Sequence, residues 1–237
     1  MEIGHYQRIV ILTGAGVSVA SGLRPFRWPE GLCNDWELED VSSASAMHDR
    51  PNDVWRLYGD MRRQALAAKP NPAHVAIANL QRRETTKSIT VITQNVDGLH
   101  QRAGSRNVFE LHGSLSQTRC SQKSCDLVPF HDERVYGHSA PECPRCRSPL
   151  RPDVVLFDEA LPAEAEWQAK RALRDCDLFL AIGTSGTVHP AAGYVRSARY
   201  AGAYTVLINI EPSSPRNPAF HEEIIGRAEE LLAELLQ

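Results

Sequence analysis

Four short apolar runs, each released into small or polar residues, set the rhythm of the chain: "RIVILTGAG", "SITVITQNVDGLH", "LFLAIGTSGTVHP" and "AYTVLINIEPS". Runs of this length, rich in β-branched residues, suit strands buried on both faces of a parallel sheet. Around them, "PNDVWRLYGDMRRQALAA", "PAHVAIANLQRR", "AEAEWQAKRALRDC" and "HEEIIGRAEELLAELL" carry helical periodicity and predict helices. The alternation predicts an α/β fold, a Rossmann-like doubly wound parallel sheet. In such sheets the ligand crevice lies beyond the carboxyl ends of the strands, so the four polar clusters should converge there. Residues 28–70, helical without a strong strand, and residues 115–150, short and cysteine-bearing, fit the alternation poorly. They read as a helical insertion and a zinc-binding module forming a smaller lobe, with residues 1–27, 71–114 and 151–237 left to the main domain.

Composition narrows the class. The 237 residues, 42% apolar and 23% charged, describe an ordinary globular protein. A net charge of −3 and a pI near 6.3 argue against nonspecific nucleic-acid or membrane-surface binding. No apolar run approaches the roughly 20 residues that span a bilayer, and the first strand begins with no cleavage site before it. The expectation is a cytoplasmic monomer with neither a specific nucleic-acid partner nor a membrane.

Of the six cysteines, Cys120 and Cys125 enclose four residues and Cys143 and Cys146 two, with 17 between the pairs. Two such knuckles can hold one zinc tetrahedrally, and a four-thiolate site has no open position, so its role would be structural. Cys33 and Cys176 stand apart and read as packing residues.

The candidate chemistry lies at the strand ends. In "LTGAGVSVASGLRPFR", Gly14 and Gly16 are spaced as the first two glycines of a phosphate-cradling loop, but Val19 stands where the third belongs. "TQNVDGLH" places Gln94, Asn95 and Asp97 after an apolar run, with Asn95 and Asp97 on one face and Gln94 on the other. They could bind ribose or carboxamide groups, or simply form an Asx turn and helix cap. His112 in "FELHGSL" has the pKa range of a general base. Gly183, Thr184 and Ser185 could approach a nucleotide or make an ordinary turn, and the acid of "NIE" could hold a ribose diol.

Taken together and in order, "GAGVSVASGLRPFR", "TQNVDGLH", "FELHGSL", the cysteine pairs, "LRPDVVLFDEALP", "GTSGTVHPAA" and "NIEP" resemble the sirtuin family of NAD-dependent protein deacylases. The resemblance implies that NAD is consumed rather than reduced. Nicotinamide leaves, the acyl oxygen of a modified lysine attacks the ribose, and the acyl group passes to ADP-ribose. By the same resemblance Gly14, Ala15 and Gly16 line the phosphates, while Phe26 and Arg27 belong to a segment covering the ribose. Gln94, Asn95 and Asp97 position ribose and nicotinamide, with Asn95 and Asp97 counted beside His112 as catalytic. His112 is the base that deprotonates a ribose hydroxyl. Gly183, Thr184, Ser185, Asn209, Glu211 and Ala228 fall where the family holds the rest of the nucleotide. The acyl-lysine would add as a strand between "VVLFDE" and "GTSGTVHP", with Val155 and Phe157 against its stem; a plain core role suits these two equally well.

The chain departs from the family at the acyl pocket. Its desuccinylase-containing branch, which the C-terminal motifs resemble most, uses a tyrosine followed three residues later by arginine. Here Tyr58 is followed at that spacing by Met61, and Arg62 comes one later, rotated about 100° on a helix. Tyr58 and Arg62 are the candidate acyl-group contacts, and the expectation is activity on acetyl or other neutral acyl groups. Pro25 and Trp28 also stand where the family differs. Two rivals remain: an NAD-dependent ADP-ribosyltransferase or NADase, and a non-catalytic NAD sensor.

Overall fold

The computed structural model describes residues 3–25, 40–137 and 139–237. Six parallel strands form the main sheet in the order β3-β2-β1-β7-β8-β9. They are β1 (Arg8–Thr13), β2 (Ser88–Thr93), β3 (Val108–Glu110), β7 (Leu178–Ile182), β8 (Tyr204–Asn209) and β9 (Glu222–Ile225). Side-chain alternation divides the core into two layers. Ile9, Ile11, Val91, Leu180 and Ile208 face helices α3 (Pro72–Arg83) and α7 (Ala228–Leu235) on one side. Val10, Leu12, Phe179, Ala181 and Leu207 face α5 (Ala163–Leu173) and α6 (Tyr194–Tyr200) on the other. With both faces covered, all five residues of β7 are buried, as its unbroken apolar run requires.

A second, antiparallel sheet, β5-β4-β6, joins β4 (Gly113–Cys120), β5 (Phe130–His131) and β6 (Leu150–Val154). Helices α1 (Ala44–Asp49) and α2 (Pro51–Ala67) pack on it through Met47, Val54, Tyr58, Leu115, Val154 and Leu156. A short helix, α4 (Leu99–Arg102), follows β2. Among the described residues no helix is long and apolar enough to cross a membrane.

One local expectation is corrected. "HEEIIGRAEELLAELL" is not helical throughout: Glu222–Ile225 pairs in parallel with β8, with Ile224 opposite Ile208, and the helix starts only at Ala228. Ile224 packs on the core while Ile225 is 49% exposed, a two-residue alternation that wins over the helical period, and Gly226, at φ +159, separates the two elements. The segment after Gly14 is a 3₁₀-helix over Ala15–Ser21, closed by Gly22 in the left-handed region.

Candidate active site

The chain runs outward from β1 through β2 to β3, then returns to resume at β7 on the other flank of β1. The reversal lies between β1 and β7, where open sheets of this kind hold ligands. The two loops meet backbone to backbone: Gly14 N–H donates to the Ile182 carbonyl at 3.0 Å and Gly16 N–H to that of Gly183 at 2.9 Å. A Cβ on Gly14 or Gly16 would come within 2.7 Å of the Gly183 backbone, and Gly183 has φ +59. Close approach of two loops therefore requires these glycines even before any ligand is considered. Val19, at the third position of the dinucleotide pattern, is 43% exposed.

β2 delivers the amides. Asn95 is buried and donates through Nδ2 to the Gly14 carbonyl and to Ser18 Oγ, both at 3.1 Å. Ser18 donates in turn to Asp97 Oδ2 at 2.7 Å, while Asp97 Oδ1 caps the Leu99 amide at 2.9 Å. Gln94 turns the other way and donates to Thr184 Oγ1 at 2.9 Å, bridging to the loop after β7. The alternation expected from sequence thus brings Asn95 and Asp97 together on Ser18 and sends Gln94 across the crevice.

His112 follows β3 and is half-buried; its Nδ1 lies 2.9 Å from the Gln94 carbonyl. A carbonyl can only accept, so Nδ1 carries the proton and Nε2 keeps its lone pair. Burial lowers the imidazole pKa below its ordinary value, against the opposing pull of the Gln94 carbonyl, which keeps the ring neutral at pH 7.

Beneath the site lies a polar layer that the sequence reading missed. His74 Nδ1 accepts from the Asn71 amide at 3.4 Å, which leaves Nε2–H directed at Ser18 Oγ at 3.5 Å. His100 Nε2 lies 2.9 Å from Thr13 Oγ1, which donates to Thr93 Oγ1, also at 2.9 Å. Burial lowers the pKa of His74 to about 4 and that of His100 to about 3. Thr13 and Thr93 are register partners at the ends of adjacent strands. The signal available in sequence was the matched threonine closing "RIVILT" and "SITVIT".

The remaining candidates are dispersed. Thr184 is buried beside Gln94, whereas Ser185 is exposed and pairs with Thr187 at 2.8 Å. Asn209 closes β8 and is half-buried, Glu211 is exposed, and Ala228 is buried at the start of α7. Phe26 and Arg27, like Trp28 and Cys33, lie outside the described residues. Val155 is half-buried and donates its amide to the His112 carbonyl at 2.8 Å; half-buried Phe157 exchanges backbone bonds with Ser42 and Ala44.

Tyr58 is packed in the core of the small sheet, and Arg62 is only 1% exposed. The Arg62 guanidinium donates to the carbonyls of Leu115, Arg134 and Gln117 and to Thr118 Oγ1, at 2.6 to 3.1 Å, and lies 3.7 Å from Asp132. Committed in this way, Arg62 has no donor directed at an acyl group. Its one-residue offset from the family's arginine turns it into the lobe interior.

The four cysteines converge. Their sulfurs all lie within 4.8 Å of one another, with Cys120 and Cys146 3.4 Å apart and Cys125 and Cys143 3.7 Å apart. Four thiolates about 2.3 Å from a zinc ion define tetrahedron edges of about 3.8 Å, which this cluster fits. Cys176 is separate and buried under β7.

Residues 14–190 match the Sir2 family. An NAD-dependent protein deacylase of Vibrio cholerae is 41% identical over 227 residues, covering 94% of this chain and 89% of the relative. NAD-dependent protein deacylase 2 of Pyrobaculum aerophilum is 45% identical over 229 residues, covering 96% and 89% respectively. The crystal structure of a Sir2 homologue in complex with NAD superposes with a TM-score of 0.90 at 38% identity, covering 99% of this chain and 90% of that one. The sheet order, the paired cysteines and this likeness over nearly the whole length agree, and the chain belongs to the Sir2 family.

Proposed function

We propose that this protein is an NAD-dependent lysine deacylase in which His112 is the general base and the acyl group of a modified protein lysine is transferred to ADP-ribose. The single observation that carries the reading is the His112 ring, fixed through Nδ1 on the Gln94 carbonyl while the Gln94 side chain reaches Thr184 at the sheet reversal. One hydrogen-bonded unit thereby sets a basic nitrogen against the loops on which a dinucleotide would rest. NAD supplies an activated ribose that loses nicotinamide and accepts the acyl group. Asn95, held by Gly14 and Ser18, presents a neutral amide, and the Asp97 carboxylate is oriented by Ser18 and Leu99. Fixed dipoles of this kind stabilise developing positive charge on a ribose without reorganising. Gly14, Ala15, Gly16, Thr184, Asn209 and Ala228 would flank the nucleotide, and Val155 and Phe157 the lysine stem.

Neutral acyl groups are favoured because the guanidinium nearest to the family's acid-binding arginine, that of Arg62, is internally bonded. A monomer suffices, since every group named comes from one chain. The unpaired thiols suit a reducing, cytoplasmic setting.

Incubation with NAD and matched acetyl- and succinyl-lysine peptides, read by mass spectrometry, tests the reading. Nicotinamide, deacylated peptide and 2′-O-acyl-ADP-ribose should appear in equal amounts, with the acetyl peptide preferred. His112→Ala should lower turnover by about 100-fold or more while NAD still binds. Nicotinamide released without peptide deacylation would instead favour ADP-ribosyl transfer or simple NAD hydrolysis.

A further inference from the structure

The segment from Val155 to Glu159 lies between His112 and the helical part of the small lobe, and an ion pair outside the nucleotide crevice fixes its shape. Arg151, on β6, is 4% exposed. Its Nη1 donates to Glu159 Oε1 at 2.6 Å and its Nη2 to Oε2 at 2.9 Å, a two-pronged contact; Nη2 also reaches the Val154 carbonyl at 2.5 Å. Glu159 then closes the segment on itself. Oε2 accepts from the Leu156 amide at 3.0 Å, while the Glu159 amide donates to the Leu156 carbonyl at 3.1 Å. Arg119 of β4 stands 3.7 Å from Oε1 and 3.2 Å from Asp153. Between the two ends, Asp158 adopts φ +68, a left-handed turn that a non-glycine residue enters only when its neighbours hold it there.

The amides of Val155, Leu156 and Phe157 are all engaged. Val155 N–H donates to the His112 carbonyl at 2.8 Å, Leu156 N–H to Glu159, and Phe157 N–H to the Ser42 carbonyl at 2.9 Å. The amides of this edge are therefore engaged within the protein, as are the Leu156 and Phe157 carbonyls, which accept from Glu159 and Ala44, and its course depends on the Glu159 carboxylate. Burial favours the neutral acid, but the Arg151 and Leu156 bonds outweigh it and hold Glu159 below the ordinary carboxylate range, so the pair is charged at neutral pH.

We propose that Arg151 and Glu159 are positioning residues for the acyl-lysine substrate: their forked ion pair shapes the Val155–Phe157 edge on which the modified peptide docks, and so governs peptide recognition independently of NAD. The proposal rests on the deacylase reading above. Glu159→Gln keeps the shape but loses the charge, and one arm of the fork becomes a mismatched amide. Arg151→Lys keeps the charge but cannot bridge both oxygens.

The test measures KM for an acetyl-lysine peptide, KM for NAD and kcat, together with binding of a fluorescein-labelled acetyl-lysine peptide by anisotropy. Glu159→Gln should raise the peptide KM and Kd by about tenfold, with Arg151→Lys intermediate and with kcat and the NAD KM within about twofold of wild type. An unchanged peptide affinity overturns the proposal. So does a parallel loss of NAD affinity and kcat, which would mark a general structural role. If Glu159→Gln does not fold, Arg151→Lys alone must show the same split between peptide and NAD. Because anisotropy needs no turnover, a wild-type protein that binds the peptide without deacylating it would defeat the deacylase reading while the ion pair is still judged by the peptide Kd. A wild-type protein that does not bind the peptide overturns both.

Discussion

His74 and His100 lie with ring centroids 4.8 Å apart beneath the crevice, each neutral because burial penalises its charged form. The pH consequence has a definite sign. In the unfolded chain both take up a proton as pH falls through about 6.5, whereas the folded rings resist until about 4 and about 3. Stability from this source is complete above the unfolded pKa and is lost as pH falls below it, at about 1.4 kcal/mol per pH unit for each ring. Glu110 works in the opposite sense: burial raises its pKa to about 7, so the folded state gains its proton first. Two rings against one carboxyl leave a net loss on acidification. His100→Gln should be less stable at pH 7 yet lose less between pH 7 and pH 5 than wild type, as measured by denaturant midpoints; parallel pH dependences would refute the assignment. At this scale the sequence exposed the residues that end strands, Asn95, Asp97 and His112, because polar groups after apolar runs stand out. It concealed Ser18, His74 and His100, whose importance lies in partners 56 to 87 positions away.

The helix α3 shows how an element serves the site. Asn71 caps it by accepting from the Ala73 amide at 2.9 Å, and Pro72 opens its first turn, where a missing amide hydrogen costs nothing. Asn71 also donates through Nδ2 to the Val17 carbonyl at 2.8 Å and to Ser21 Oγ at 3.0 Å, so the cap fastens the 3₁₀-helix that carries Ser18. Asn71→Ala should cost about 1–2 kcal/mol of stability and weaken NAD binding. Asn71→Asp, which keeps the cap acceptor but loses both amide donors, should recover part of the stability without recovering NAD affinity. Chemical denaturation and NAD titration would separate the two, and wild-type NAD affinity in Asn71→Asp would disprove the fastening role. The buried strands β1, β2, β7 and β8 were legible because a central parallel strand must be apolar on both faces. The edge strand β9 was not, since "EEII" has only two apolar residues and its identity depends on pairing with β8.

Over the whole molecule, two cores of different origin meet at His112. The main sheet is held by apolar burial on both faces, whereas beside the cysteines the described residues of the small lobe form a smaller cluster around Trp55, Cys120, Cys143 and Leu150, with the Trp55 indole donating to the Leu150 carbonyl. A cluster that small gains much of its order from a metal when four thiolates are available. The cysteine spacing was readable in sequence, but not that β4 begins at Gly113, directly after His112, and ends at Cys120. Metal loss should therefore act along one strand on His112, the proposed base. Purified protein should contain about one zinc per chain, and chelation should lower the melting temperature. It should also speed hydrogen exchange in β4, β5 and β6 while sparing β1, β7 and β8. NAD should still bind, because the Gly14, Gly16 and Gly183 contacts lie wholly in the main sheet, but deacylation should fall as His112 loses its fixed place. Exchange that quickened equally in both sheets would mean that the metal supports the entire fold. No change in melting or exchange would remove zinc from the structural account and leave the four thiols as packing groups.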